Sequence, residues 1–452
     1  MSINNQIVAP RMFNKKIINY KSYLDESYVA RLKLSELKRK NDCRPVDEVV
    51  SCCTKRNEIR FKIIDLQKEH NGLSRSIGIA KKEKRIIDVD GIKEQVNDIK
   101  KNIEEIEKDL EKIEDLLQTI CSGFGNIVHD SVPVSSDEEN NELIKTWEST
   151  NLLDMVNPRL IHNVLFSKIA GYNPVVGCRV AGHRGYYLMN VGLWLNQALV
   201  NYGISFLRKK GYETVQTPFF MKTELMHKVA QLSEFDEALY KVDDDCVLIA
   251  TAEQPLCALH EDQYLASSQL PIKYGGYSTC FRKEAGSSGK DVLGLFRVHQ
   301  FEKVEQFVLC DPSKSEEMHE ELMRVTEEFY QSLGIPYRIV SIVSGALNNA
   351  AVKKYDLEAW FPGSGCYREL VSNSNCTDYQ SRQLKIRFGV KTVENKQTEY
   401  VHLLNCTLVA TERTMCAVLE NYQTDAGIRI PEVLQPFLAP YLDNPSFVPF
   451  IN

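Results

Sequence analysis

The sequence predicts an α+β chain: a long antiparallel coiled-coil hairpin, then a larger domain built on an antiparallel sheet flanked by helices. Two observations carry this. A hydrophobic seam repeats in steps of four and three through residues 45–120. From about residue 141 onward, short alternating stretches are interleaved with helical ones, without the βαβ regularity that a parallel sheet requires.

The hairpin is read from its spacing. Ile92, Val96, Ile99, Ile103, Ile106, Leu110, Ile113, Leu117 and Ile120 keep the four–three alternation almost unbroken. Val49, Cys52, Arg56, Ile59, Ile63, Leu66, His70, Leu73, Ile77 and Ala80 keep it too, with polar interruptions at Arg56 and His70. Between the arms lies the polar stretch Lys81–Gly91, read as a connector broken by Gly91. At 1.5 Å per residue each arm spans on the order of 50 Å. Residues 55–85 hold ten Lys/Arg against four acids, and residues 86–117 hold five against eleven. Such charges pair across a hairpin, or grip a phosphate backbone through the basic tip Lys81, Lys82, Lys84 and Arg85. Both readings stand at this point.

A polar, acidic stretch from Ser131 to Asn141, containing Pro133, puts the expected domain boundary near residue 140, giving 1–140 and 141–452. In the second part, Tyr187–Lys210 reads as a helix closed by Gly211, and Tyr212–Pro218 as a strand. Tyr277–Arg282 and Val298–Leu309 make a hairpin around a Gly/Ser-rich turn. Glu316–Leu333 and Thr411–Tyr422 read as helices, and Thr398–Leu404 as a strand.

Composition narrows the functions. At 452 residues, with 43% hydrophobic and 26% charged residues, the chain has material for a large core in two domains. No apolar run approaches the roughly 18 residues of a membrane span. The segment Met1–Gln6 lacks a signal-peptide layout, so the cytosol is the expected compartment. The thirteen cysteines include no Cys-x-x-Cys pair and are expected to be reduced thiols, mostly buried, rather than zinc ligands. A net charge of −6 disfavours a uniformly basic nucleic-acid binder but permits a local basic strip.

The chemistry concentrates around Phe281-Arg282-Lys283-Glu284 and the return segment Arg297-Val298-His299-Gln300-Phe301-Glu302-Lys303-Val304-Glu305. Arg282 and Glu284 share a face if the segment is a strand, and the glycine loop between the two runs suits an anionic, amine-bearing ligand. Taken singly, such residues read as ordinary surface charge. They are joined by Thr251-Ala252-Glu253-Gln254-Pro255, Glu369-Leu370-Val371-Ser372, Leu404-Asn405-Cys406-Thr407 and Thr411-Glu412-Arg413.

These stretches, in this order, resemble the seryl-tRNA synthetases, class II aminoacyl-tRNA synthetases, of the eukaryotic cytosolic type, over essentially the whole chain. The resemblance implies a class II catalytic domain behind a tRNA-binding helical arm. It also implies ATP-dependent activation of L-serine to seryl-adenylate, then transfer of the seryl group to serine tRNA. Whether selenocysteine tRNA is a second substrate stays open. It implies a homodimer joined through the segment ending at Pro218, no membrane partner, and Mg²⁺ with ATP.

By the same resemblance, Arg282 faces the reacting phosphate and the serine carboxylate, and Lys283 and Glu284 meet ATP, with Glu284 on the adenine amino group. Val298, His299, Gln300 and Phe301 surround the nucleotide, Phe301 stacking on the base. Glu369, Leu370, Val371 and Ser372 follow, with Glu369 and Ser372 on the metal, and Arg413 stands at the terminal phosphate. Thr251, Glu253, Glu305, Asn405 and Thr407 surround serine. Two rivals remain: a paralogue that keeps the fold without charging tRNA, and a coiled-coil adaptor with a globular head. The latter has no need of the paired motifs.

Overall fold

A computed structural model describes residues 17–83, 88–149, 159–230, 238–284, 294–389 and 399–451. It divides into two compact units, one over residues 15–127 and one running from Val128 to the C-terminus. The polar stretch 131–141 follows this division closely in sequence.

The smaller unit contains helix α1 (Glu26–Lys38) and two long helices, α2 (Arg44–Glu83) and α3 (Val89–Ser122). Pro45 sits in the first turn of α2, where its missing N–H costs nothing. Gly91 does not break the connector. It lies in the first turn of α3, where the Asp88 carboxylate caps the helix by accepting from the Gly91 N–H at 2.9 Å. The basic tip falls on side chains outside the described residues.

The described seam positions are all buried or half-buried, as a two-helix interface requires, whereas neighbours such as Phe61 and Leu116 are exposed. Leu117 packs with Val46, Val49, Cys52 and Cys53 near the base, which fixes the antiparallel pairing. The polar seam residue Arg56 is satisfied across the hairpin by Glu114 at 2.8 Å, and its guanidinium lies 3.8 Å from the Tyr20 ring centroid.

The larger unit is organised by an eight-stranded sheet of β1 (Glu142–Trp147), β2 (Glu213–Gln216), β3 (Ile272–Phe281), β4 (Gln300–Cys310), β5 (Tyr337–Ser341), β6 (Lys353–Phe361), β7 (Cys366–Asn375) and β8 (His402–Ala410). Their spatial order is β1-β5-β6-β7-β8-β4-β3-β2. Every neighbouring pair is antiparallel except β2 with β3, a parallel pair at one edge. Helices α4 (Val191–Lys209), α5 (Ser315–Ser332) and α6 (Thr411–Tyr422) accompany it.

Some boundaries differ from the sequence expectation. Helix α4 starts at Val191, because Tyr187 and Leu188 pair as a short strand with Tyr172 and Asn173. The strand expected over Thr398–Leu404 instead runs from His402 to Ala410, where it finds β4 and β7 as partners. That shift puts Asn405 and Thr407 inside the sheet.

Alternation on β4 positions the site. Val304, Val308 and Cys310 point into the core shared with the helices, and Phe307 and Leu309 into a second core on the opposite face. Phe301, Lys303 and Glu305 therefore share the second face. On β8, Leu404, Cys406 and Leu408 enter the helix-side core, leaving Asn405 and Thr407 on the other side.

Candidate active site

Those faces enclose a polar cavity in the larger unit. Its walls come from β4, β6, β7 and β8, the segments just after β3 and just before β4, the short helix Glu253–Ala258 and the first turn of α6. Of the residues singled out from sequence, Thr251, Glu253, Arg282, Glu284, Val298, Phe301, Glu305, Glu369, Leu370, Ser372, Asn405, Thr407 and Arg413 all line it. These thirteen span 163 positions of sequence, from 251 to 413, so only the fold brings them together.

Four predicted residues are not among the lining residues. Val371 is buried in the helix-side core, on the opposite face of β7 from Ser372. His299 holds the hairpin instead: its Nδ1 lies 2.9 Å from the Arg282 carbonyl oxygen, and the Arg282 N–H donates to the His299 carbonyl at 2.9 Å. Gln300 offers its carbonyl to the Tyr186 hydroxyl at 2.8 Å. The Lys283 N–H donates to the Ala238 carbonyl. Residues 285–293, most of the glycine loop, lie outside the described residues.

One end of the cavity is a dense polar cluster. Thr251 donates its hydroxyl proton to Glu305 Oε2, and the Glu253 N–H donates to the same oxygen at 3.2 Å. Lys303 Nζ donates to Thr251 Oγ1 at 2.7 Å and to Glu305 Oε1 at 3.1 Å. Gln380 Nε2 holds Glu253 Oε1 at 2.7 Å, and Asn405 Nδ2 points to Cys376 Sγ at 3.6 Å. Glu305 is only 2% exposed, so its charge needs these donors.

The other end is cationic and aromatic. Arg282 Nε donates to the Ala250 carbonyl at 3.3 Å, and its guanidinium lies 5.3 Å from the Phe301 ring centroid. Arg413 Nε donates to the Phe296 carbonyl at 3.2 Å and covers that ring at 4.8 Å. Glu284, in the left-handed region at φ 50°, pairs with Arg297 at 2.5 Å. The Ser372 hydroxyl donates to Glu369 Oε1 at 3.0 Å. Crowding by protein opposes the Glu369 charge, but Arg413 and then Lys354 outweigh it and hold the carboxyl below the usual range. Beside it Asp356 is pushed the other way by burial, against the pull of Lys354 at 3.2 Å.

The sequence reading missed Lys303, Asn348, Lys354 and Glu412 as lining residues. Lys303 had a usable signal, since it lies midway between Phe301 and Glu305 at strand spacing. Glu412 is buried beneath the cavity, where it accepts from the Glu302 N–H at 3.0 Å and meets the Tyr186 hydroxyl at 2.9 Å. Burial and the neighbouring Glu302 raise its pKa. Asn348 and Lys354 carry no local signal and enter through sheet geometry alone.

A model of the tRNA synthetase class II core domain (G, H, P, S and T) matches residues 238–422, so the cavity and strands β3 to β8 form a class II synthetase core. A model of the seryl-tRNA synthetase N-terminal domain matches residues 28–128. The cytoplasmic serine–tRNA ligase of Schizosaccharomyces pombe is 49% identical over 421 residues, 92% of this chain and 92% of that protein. The serine–tRNA ligase of Helianthus annuus is 50% identical over 413 residues, 89% of this chain and 92% of that one. Among solved structures, the seryl-tRNA synthetase of Pyrococcus horikoshii complexed with ATP superposes with a TM-score of 0.88 at 35% identity, covering 96% of this chain and all of that one. The cytoplasmic serine–tRNA ligase of Naegleria fowleri in complex with AMP gives 0.87 at 40%, covering 97% of this chain and all of that one. The chain belongs to the seryl-tRNA synthetases, the class II enzymes that ligate serine to tRNA.

Proposed function

We propose that this cavity carries out both steps of serine–tRNA ligation, with the roles divided between its two ends. The observation that carries the reading is the convergence of Arg282, Phe301, Glu305, Glu369, Asn405, Thr407 and Arg413 on one cavity. In the first step a serine carboxylate oxygen attacks the α-phosphorus of ATP, and the bond to the departing pyrophosphate breaks. In the second, the terminal ribose hydroxyl of tRNA attacks the acyl carbon and AMP leaves. The chain acts in the cytoplasm, the compartment its relatives' names carry.

Negative charge builds on the α-phosphate in the first step, and a preorganised guanidinium is the natural stabiliser. Arg282 takes this role and binds the serine carboxylate, while Arg413 meets the terminal phosphates. Phe301 offers a stacking face for adenine, and Glu284 an acceptor for its amino group. Glu305 receives the serine ammonium, with Thr251, Glu253, Asn405 and Thr407 completing the pocket. Buried partners for the serine hydroxyl would be left unpaired by alanine, and such discrimination reaches roughly 10⁴–10⁵-fold.

For Mg²⁺, Glu369 and Ser372 supply an ionised carboxylate and a hydroxyl 3.0 Å apart, both hard oxygen donors. No group of three or more His, Cys, Asp and Glu able to hold a metal occurs among the described residues, so ATP phosphates and water would complete the shell. When bound, the ion neutralises phosphate charge. Residues 1–140 serve as the tRNA-binding region through the helical arm, and 141–452 as the catalytic domain. The active assembly is a homodimer.

Serine-dependent ATP–pyrophosphate exchange, run beside threonine and alanine, tests the reading. Robust exchange with serine alone is expected. Absence of exchange with every amino acid, in folded protein, overturns it.

A further inference from the structure

Lys303 is a charged side chain inside the catalytic cavity with no part in the roles above. It is 5% exposed, and its ammonium donates to Thr251 Oγ1 at 2.7 Å and to the Glu305 carboxylate at 3.1 Å.

Counting donors and acceptors shows what this does. A threonine hydroxyl donates once and accepts twice. Thr251 gives its proton to Glu305 Oε2 and accepts from Lys303 and from the Glu253 N–H, the latter at 3.2 Å. Its hydroxyl is saturated, and its proton can point only at Glu305. A carboxylate accepts about four hydrogen bonds. Glu305 Oε2 takes those from Thr251 and the Glu253 N–H and also lies 3.1 Å from Lys303 Nζ, while Oε1 takes one from Lys303. The free capacity left on Glu305 is on Oε1.

We propose that Lys303 is a positioning residue of the serine pocket: its ammonium locks Thr251 and Glu305 into one closed ring and leaves Glu305 Oε1 as the acceptor for the substrate ammonium. This rests on reading the cavity as the serine site. Without Lys303, Thr251 can rotate its proton away and Glu305 loses the one cationic partner it has among the described residues within salt-bridge range. Lys303 contacts Thr251 and Glu305, whereas Arg413 contacts Phe296 and Glu369, so its effect should fall on serine and not on ATP.

The test is Lys303→Met in serine-dependent ATP–pyrophosphate exchange, with the wild-type chain measured in parallel. The KM for serine is expected to rise on the order of 10- to 100-fold, the range for losing hydrogen bonds to a charged group. The KM for ATP should stay within about twofold, a split that a general packing defect does not produce. If the wild-type chain shows no exchange, the serine reading itself fails. If it does, an unchanged serine KM, or equal rises for serine and ATP, overturns the role of Lys303 alone. Should Lys303→Met not fold, Lys303→Arg serves. Its wider fork cannot reproduce both contacts, so serine KM rises severalfold with ATP KM unmoved. No change in either overturns the inference.

Discussion

Arg413 and Glu369 are joined twice: Arg413 Nη1 donates to the Glu369 carbonyl at 3.0 Å and stands 3.6 Å from its carboxylate. The first turn of α6 is thereby tied to both the backbone and the side chain of β7. The guanidinium cannot swing without breaking contacts to β7 and to Phe296 at once.

Arg413→Lys is therefore more than a change of size. A lysine keeps the charge but cannot serve the Phe296 carbonyl and both Glu369 oxygens with one planar fork. The exchange rate constant is expected to fall on the order of 100-fold, in the range for removing one preorganised stabilising donor. Steady-state exchange kinetics check this, and wild-type turnover in the variant would remove Arg413 from the machinery.

Glu305→Ala should raise the KM for serine steeply while sparing ATP. The change also strands Lys303, which is 5% exposed, without its anion. Some loss of stability, about 3 kcal/mol for breaking a buried pair, is expected beside the kinetic effect. Glu305→Gln keeps the shape and should lose serine affinity with less destabilisation. Exchange kinetics and urea unfolding of the same samples separate the two effects.

Deleting residues 55–112 and rejoining the hairpin should leave serine-dependent exchange within a fewfold of wild type and largely abolish tRNA charging. Among the described residues the cavity is lined by positions from 251 onward, which is why exchange survives. Equal loss of both activities would count against the arm as the tRNA-binding element.

Arg56→Leu should destabilise the helical unit by about 3 kcal/mol, because it leaves Glu114 without its cross-arm partner in a part-buried seam. The double change with Glu114→Leu should recover most of that loss. Unfolding followed by circular dichroism measures both. A double variant as unstable as the single one would show that the pair's value lies in its charges.

His319 predicts a pH dependence. It is fully buried between α5 and β6, stacked on Tyr355 at 4.8 Å, and burial pushes its pKa down to about 4, against a hydrogen bond to the Asn373 carbonyl. The unfolded chain takes up this proton near pH 6.5, so between about 6.5 and 4 it binds more protons than the native state. The contribution is intact above pH 6.5, declines as pH falls toward 4, and levels off below, amounting to on the order of 3 kcal/mol. His319→Gln should flatten urea-unfolding midpoints across this window.

The hairpin was legible in sequence because a heptad seam is a local, repeating signal, and every described seam position is buried or half-buried. The motif stretches were legible because several long runs stand in a fixed order. Less legible was which member of each run faces the ligand. Val371 and Ser372 are adjacent, yet one is in the core and the other in the cavity, since side chains alternate across a strand. His299 and Gln300 stay out of the lining for a related reason. They stand at the mouth of the hairpin, where their carbonyls accept from Arg282 and Tyr186.

From sequence alone came the α+β architecture, the helical hairpin and most of the residues that line the cavity, because periodicity and motif order are properties of the chain itself. Tertiary structure decided the strand order, the late register of β8 that brings Asn405 and Thr407 into the sheet, and the Lys303–Thr251–Glu305 ring. Thr251 lies 52 and 54 positions from Lys303 and Glu305, and β8 pairs with β4 across 92 or more, so these hydrogen bonds close only once the sheet has set the distances.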